Sequence, residues 1–145
     1  MRKKILISGG NGKFAKELII NGSGDFDICA PSKSQMNINN PRQIYAHIVK
    51  HNPDYFIHAA AMTRPMKNHE IAPMKSMKTN IEGTCNVVDA CSTTSVKLIY
   101  ISTDYVYPGS QGNYSETDGV LPFTKYGWSK LGGECAAMMY EKSLI

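Results

Sequence analysis

The chain has 145 residues, 42% of them apolar, which is enough for one soluble domain with a real core. Its net charge is +4, carried by scattered basic residues with no stripe and no interleaved aromatics, which excludes nucleic acid as the expected partner. The first apolar run, Ile5-Leu6-Ile7, is too short for a signal peptide or a membrane span, and Cys29, Cys85, Cys91 and Cys135 form neither a CxxC pair nor a metal-type cluster. They read as reduced core residues of a cytoplasmic protein with no metal and no membrane partner.

In chain order, Lys4–Ser8 (KILIS) is an apolar run between charge and glycine, the pattern of a buried strand. GGNG forces a turn, and KFAKELIIN follows with helical spacing that places Phe14, Leu18 and Ile19 on one side. Asn21–Gly24 stops that helix. Phe26–Ala30 reads as a second strand, and a polar connection follows with a very short strand near Met36–Ile38. Pro41 opens a helix that Pro53 closes, and DYFIHAAA is the next strand. TRPMKNHEIAP reads as loop. From Met74, apolar residues recur at Met77, Ile81, Cys85, Val88 and Cys91, the spacing of a long helix. Val96–Ser102 is a further strand, a polar loop runs to Phe123, and a helix covers Thr124 to Lys142.

Strict alternation of strand and helix predicts an α/β fold, a doubly wound parallel sheet of Rossmann-like, three-layer form. Such sheets bind ligands at the carboxyl ends of their strands. The turn after the first strand, GGNGKFA, spaces Gly9, Gly12 and Ala15 by three. One glycine permits a sharp turn, the next lets backbone approach a pyrophosphate, and the small third residue lets helix and strand pack closely. The helix N-terminus then offers free N–H groups to phosphate, so the turn is a candidate dinucleotide site. After the second strand comes PSKS, without Asp or Glu. Lys33 there suits a 2′-phosphate, and therefore NADP(H) with NAD(H) as the second choice; an exposed loop lysine is the plainer reading. Tyr126 and Lys130 stand four apart and share a helix face. A nearby ammonium lowers a phenol's pKa toward neutrality, and the Thr103 hydroxyl can hold a carbonyl oxygen beside Tyr126. A surface pair of no chemical consequence is the competing reading.

The segments ISGGNGKFAKEL, PDYFIHAAAMT, NIEGTCNVVDAC, LIYISTDYVY and YGWSKLGGE resemble the extended short-chain dehydrogenase/reductase family, and most of all its dTDP-4-dehydrorhamnose reductase branch. The resemblance implies NADPH-dependent reduction of a nucleotide-linked 4-keto-6-deoxy sugar, with Thr103, Tyr126 and Lys130 as catalytic residues and Tyr126 as proton donor. It implies that Gly9, Gly12, Lys13 and Phe14 follow the cofactor pyrophosphate and that Asn37 and Ile38 lie near adenine. It places Ala59, Ala60, Ala61 and Thr63 along the nicotinamide half, where Lys130 also binds the ribose. Asn80 falls where many relatives carry an asparagine; a residue satisfying local backbone is the alternative. Gly132 and Gly133, inside the last helix, imply close packing against the sheet or cofactor. Dehydratases of this superfamily carry Asp-Glu after the strand-end threonine, whereas Asp104 is followed by Tyr105; epimerases carry small residues there. A non-catalytic NADP-binding regulatory subunit, or an inactive fragment, is the other class. Family members continue past this length, so residues 1–145 are expected to form the dinucleotide-binding domain without the last strands or the small substrate domain. A nucleotide-sugar is the implied partner, and a homodimer is left open.

Overall fold

Strand β1 (Lys3–Ser8) sends its side chains alternately into two cores, Leu6 into one and Ile5 and Ile7 into the other, as the two-residue period of an extended chain requires. The other strands are β2 (Phe26–Cys29), β3 (Tyr55–His58), β4 (Lys97–Tyr100) and β5 (Ser143–Leu144), all parallel, in the order β2-β1-β3-β4-β5. The structure is a computed structural model and describes residues 2–145; Met1 of the expected domain lies outside it. The chain leaves β1 toward β2 and returns to β3 on the other side of β1. Its winding therefore reverses between β1 and β3, the point at which open α/β sheets bind ligands.

Helices α1 (Lys13–Gly22) and α2 (Pro41–His51) follow β1 and β2. After β3 come α3 (Lys67–Ile71) and a helical rod made of α4 (Pro73–Ser76), a π-helical segment (Met77–Glu82) and α5 (Gly83–Thr94). Helix α6 (Lys125–Met138) joins β4 to β5. The caps explain the starts: Asn40 accepts from Gln43 N ahead of Pro41, and Thr124 accepts from Gly127 N. On one face Leu6, Phe56, Leu98 and Tyr100 pack against Ile44 and Ile48 of α2, Val87 and Cys91 of α5, and Ala137 of α6. Each large side chain buried there contributes about 1.5–3 kcal/mol. On the other face Ile5, Ile7 and Ile57 pack against Ala15 of α1, and Ile99 and Ile101 are only partly covered. Among the described residues no helix is long and apolar enough to cross a membrane.

The structure departs from the sequence expectation in several places. On α1 the buried positions are Ala15 and Gly22 and Leu18 packs partly buried against the core, while Ile19 is exposed and Phe14 lines a cleft. Along the rod the buried positions are Ser76, Asn80, Gly83, Thr84, Val87, Ala90 and Cys91; of the other residues in the apolar spacing, Ile81 and Val88 are partly buried, Val88 against the core, and Met77 and Cys85 are exposed. The π-helical segment shifts the helix phase, and buried hydrogen bonds, described below, hold the polar members inside. Met36–Ile38 forms a turn and not a strand, although Met36 and Ile38 are buried. The supposed loop after Thr63 contains α3. Of the cysteines only Cys91 is buried; Cys85 and Cys135 are exposed and Cys29 is half-buried. The last helix ends at Met138, and a strand does begin at Ser143.

Gly133 packs against the sheet and not against a ligand cleft. A Cβ there would strike the Tyr100 hydroxyl and stand 2.9 Å from the Asn80 carbonyl oxygen. Gly133→Ala is expected to cost about 1–3 kcal/mol by overpacking, whereas Gly24→Ala, with nothing within 4 Å, stays within about 0.5 kcal/mol of the parent. Urea denaturation midpoints of the two variants check this.

Candidate active site

The turn after β1 is closed by Gly12 N donating to Gly9 O at 2.8 Å and anchored to the next segment by Gly10 N donating to Pro31 O at 3.1 Å. Gly9 has φ +79°, where side chains are disfavoured, and a Cβ on Gly10 would strike the Ala30 carbonyl. Gly10 is thus as necessary to the turn as Gly9 and Gly12, although the three-residue spacing points past it. Gly12 caps α1 without any side-chain hydrogen bond, so the first N–H groups of the helix stay available to an anion.

Those groups open onto a cleft of about 680 Å³ at the β1/β3 switch point. Gly9, Gly12, Lys13, Phe14, Lys33, Asn37, Ile38, Ala59, Ala60, Ala61 and Thr63 all line it; every residue expected along a dinucleotide is brought together there except Tyr126 and Lys130. Asn11, Met36, Asn39, Met62, Lys75, Lys78 and Thr79 also line it and were missed. Lys75 and Lys78 are one helical turn apart, a signal readable only once the facing side of that rod is known. Four lysines and no carboxylate line the cleft. Asn37 turns its Oδ1 back to accept from Asn39 N at 3.0 Å. Asn39 Oδ1 is buried without a hydrogen-bond partner and packs against Gly83, where an added Cβ would stand 3.0 Å from it. The free helix N-terminus and the four lysines together fit a phosphorylated dinucleotide.

A second cleft of about 500 Å³ is lined by Thr63, Arg64, Pro65, Met66, Thr103, Asp104, Tyr105 and Tyr126. Thr63 belongs to both clefts, so the two adjoin. Thr103 caps the short turn Asp104–Val106, accepting from Tyr105 N at 3.3 Å. Tyr126, in the first turn of α6, is buried with its ring 4.9 Å from that of His69. Lys130 lines neither cleft. It is buried, its Nζ donates to Ile101 O at 2.7 Å and lies 4.1 Å from the Tyr100 ring centre.

This geometry corrects one expectation. Lys130 does not lower the Tyr126 pKa; the phenol is pushed up, chiefly by burial and further by Asp104 and Tyr105, against the opposing pull of the Thr103 hydroxyl and Arg64. The Lys130 ammonium is committed to Ile101 O. Burial brings its own pKa down to about 8, against a raising effect of Glu134. At neutral pH the site therefore holds a neutral phenol, able to donate a proton, one helical turn from a cation.

Asn80 ties the clefts together. Its Oδ1 accepts from Met62 N at 2.7 Å, and its Nδ2 donates to Met62 O at 3.0 Å and Ser129 Oγ at 2.9 Å. The backbone it satisfies is 18 residues away and not local. His69 steadies the same loop: its Nε2 donates to Thr63 O at 3.0 Å and its Nδ1 faces Ser76 Oγ at 2.6 Å.

Residues 2–145 match the model of the RmlD substrate binding domain family. The chain belongs to that family. It is 29% identical over 134 residues to a dTDP-4-dehydrorhamnose reductase of Aggregatibacter actinomycetemcomitans, covering 90% of this chain and 45% of that protein. It is 31% identical over 147 residues to methionine adenosyltransferase 2 subunit beta of Bos taurus, covering 94% and 43%. The crystal structure of dTDP-4-dehydrorhamnose reductase from Bacillus anthracis in complex with NADP superposes with a TM-score of 0.93 at 31% identity, covering 99% of this chain and 52% of that one. The chain spans about half the length of the relatives it matches.

In this family member the switch point is braced by a buried chain of hydrogen bonds that no sequence motif announced. Thr84 Oγ1 donates to Asn80 O at 2.7 Å, so it accepts from His58 Nε2 at 3.0 Å. His58 Nδ1 then accepts from Ser8 Oγ at 2.7 Å, and Ser8 Oγ accepts from Ala60 N at 3.2 Å. Every member is satisfied with His58 neutral, and burial, aided by Lys130, lowers its pKa to about 3. In the unfolded chain His58 takes a proton near its ordinary value of 6.5. Between those values the unfolded state binds more protons, so the contribution is complete above pH 6.5 and is lost as pH falls toward 3. Stability is expected to drop by about 2 kcal/mol between pH 6.5 and 5, and His58→Gln, less stable at pH 7, is expected to flatten that slope. Urea titrations at both pH values measure it.

Proposed function

We propose that residues 1–145 form the NADP(H)-binding domain of a reductase acting on a nucleotide-linked 4-keto-6-deoxy sugar. The observation that carries this is the junction of the two clefts at Thr63: one is cationic and shaped at a helix N-terminus, and the other is walled by Thr103 and Tyr126. The dTDP-4-dehydrorhamnose reductases among the relatives, one of them solved with NADP, support the same reading.

The α1 N-terminus with Gly9, Gly12, Lys13 and Phe14 would hold the pyrophosphate. Asn37, Ile38 and Asn39 would hold adenine, Lys33 the 2′-phosphate, and Ala59, Ala60, Ala61 and Thr63 the nicotinamide half. When bound, the cofactor supplies hydride to the keto carbon. Thr103 donates its hydroxyl proton to the substrate oxygen as a hydrogen bond and orients it. Tyr126 transfers its phenolic proton to that oxygen as negative charge develops there. Lys130 supplies positive charge beneath the site, and Arg64 offers a cation to the anionic part of the nucleotide-sugar. The chain spans about half the length of these relatives, and alone it is expected to bind cofactor and turn over slowly.

Calorimetry is expected to give saturable NADPH binding tighter than NADH. Lys33→Ala should weaken NADPH about tenfold by removing a charge-assisted contact and leave NADH unchanged. With NADPH and dTDP-4-dehydrorhamnose, Tyr126→Phe should slow single-turnover oxidation of the cofactor at least about 100-fold with NADPH affinity held within about threefold. Equal affinity for both cofactors would remove Lys33 as the phosphate reader. The match to a methionine adenosyltransferase subunit favours a second reading, a cofactor-binding regulatory subunit; tight NADPH binding with no oxidation by any nucleotide-linked ketosugar, even in single turnover, would select it.

A further inference from the structure

Away from both clefts, the thiol that ends β2 faces two imidazoles on α2. His47 and His51 are one helical turn apart, and their rings stack with centres 5.7 Å apart and an interplanar angle of 17°. One donor atom from each of Cys29, His47 and His51 lies within 4.8 Å of the other two. Cys29 Sγ and His51 Nε2 are 3.5 Å apart. A tetrahedral zinc ion, with Zn–S near 2.3 Å and Zn–N near 2.0–2.1 Å, sets such a pair about 3.6 Å apart. That edge of the coordination polyhedron is already in place.

The third side chain carries an independent sign. His47 Nε2 lies 3.2 Å from Gln35 O. A carbonyl only accepts, so Nε2 holds the proton and Nδ1 is a bare lone pair. Nδ1 is buried and has no hydrogen-bond partner. An imidazole that donates one N–H to a backbone carbonyl and keeps the other nitrogen free is the form in which histidine binds metal, with the carbonyl fixing tautomer and ring orientation. No sequence spacing revealed this, because Cys29 and His51 are 22 residues apart and meet only through the β2–α2 packing.

We propose that Cys29, His47 and His51 bind one transition-metal ion of the zinc class, with water as the fourth ligand. One thiolate and two imidazoles favour zinc-like ions over magnesium or calcium. Binding exchanges the Cys29 thiol proton, which is released to water, for the metal–sulfur bond, with no change of oxidation state. Through His47 and Gln35 the ion would also fix the Ser32–Gln35 turn, where Ser32 N donates to Gln35 Oε1 at 2.8 Å and which carries Lys33. The proposal stands independently of the reductase reading.

The test is a cobalt(II) titration of the metal-freed full chain in a Cys85→Ser/Cys135→Ser background, which removes the two exposed thiols. One equivalent is expected to produce a thiolate-to-cobalt charge-transfer band in the near ultraviolet with the strong visible bands of a four-coordinate ion, and one equivalent of zinc should displace it. Cys29→Ser should abolish the charge-transfer band. His47→Gln, on the partly exposed face of α2, should weaken cobalt binding at least tenfold with an unchanged far-ultraviolet dichroism spectrum. Absence of the band, or a band that survives Cys29→Ser or keeps its affinity in His47→Gln, would leave only an S–H···N hydrogen bond and overturn the proposal.

Discussion

A single buried amide, Asn80, holds the two clefts in register. It uses one acceptor and two donors on Met62, which lines the first cleft, and on Ser129, in the helix that carries Tyr126. A buried polar group left unpaired costs about 1–3 kcal/mol, so a buried amide with both ends bonded has one stable orientation. That orientation fixes the loop from Ala59 to Thr63 relative to α6. Asn80 sits in the π-helical segment, whose local widening breaks the regular helix phase, and its amide meets Met62 and Ser129. The Ser8–His58–Thr84 chain ends on the Asn80 carbonyl, so β1, β3, the helical rod and α6 converge on one residue.

Close packing explains the electrostatics of α6. With no Cβ at Gly133, the helix comes down on Tyr100, whose hydroxyl donates to Lys130 O at 3.1 Å. The approach buries Lys130, lowers its pKa to about 8 and leaves its ammonium only Ile101 O and the Tyr100 ring as partners. Tyr126, on the same helix, is raised instead. Burial disfavours the charged form of each group, so one structural cause moves the two values in opposite directions and leaves the lysine below the tyrosine. For the proposed reduction this is a suitable resting state, since a phenol that gives up a proton must first hold it.

The sequence made the sheet legible because buried parallel strands are short continuous apolar runs with little else to be, and the glycine turn legible because close backbone approach demands small residues. Its reading of the helices was poorer. Apolar periodicity assumes that a buried face is an apolar one, and at Asn80, Thr84, Ser76 and Gly83 the buried face is polar or small. Phe14 misled for the opposite reason: it lines a cleft and not the core. The YxxxK spacing placed Tyr126 and Lys130 on one helix face, yet it carries no information on what the ammonium touches. That depends on the Ile101 carbonyl, which arrives from another element.

The charge of the chain also takes its meaning from the fold. A net charge of +4 with scattered lysines reads as mere solubility along the sequence. Folding gathers Lys13, Lys33, Lys75 and Lys78, from three separate segments, around one cleft without a carboxylate. Like charges drawn together repel, and the chain offers no internal counter-charge there: the one ion pair among the described residues, Lys3 with Asp54 at 2.8 Å, lies elsewhere. Such an arrangement costs stability in the free protein and is relieved by an anion with several well-separated charges. A pyrophosphate and a further phosphate, as in the proposed cofactor, carry well-separated charges of this kind. The repulsion in the empty cleft and the affinity of the filled one thus share an origin, which argues for a phosphorylated dinucleotide over a neutral or singly charged ligand.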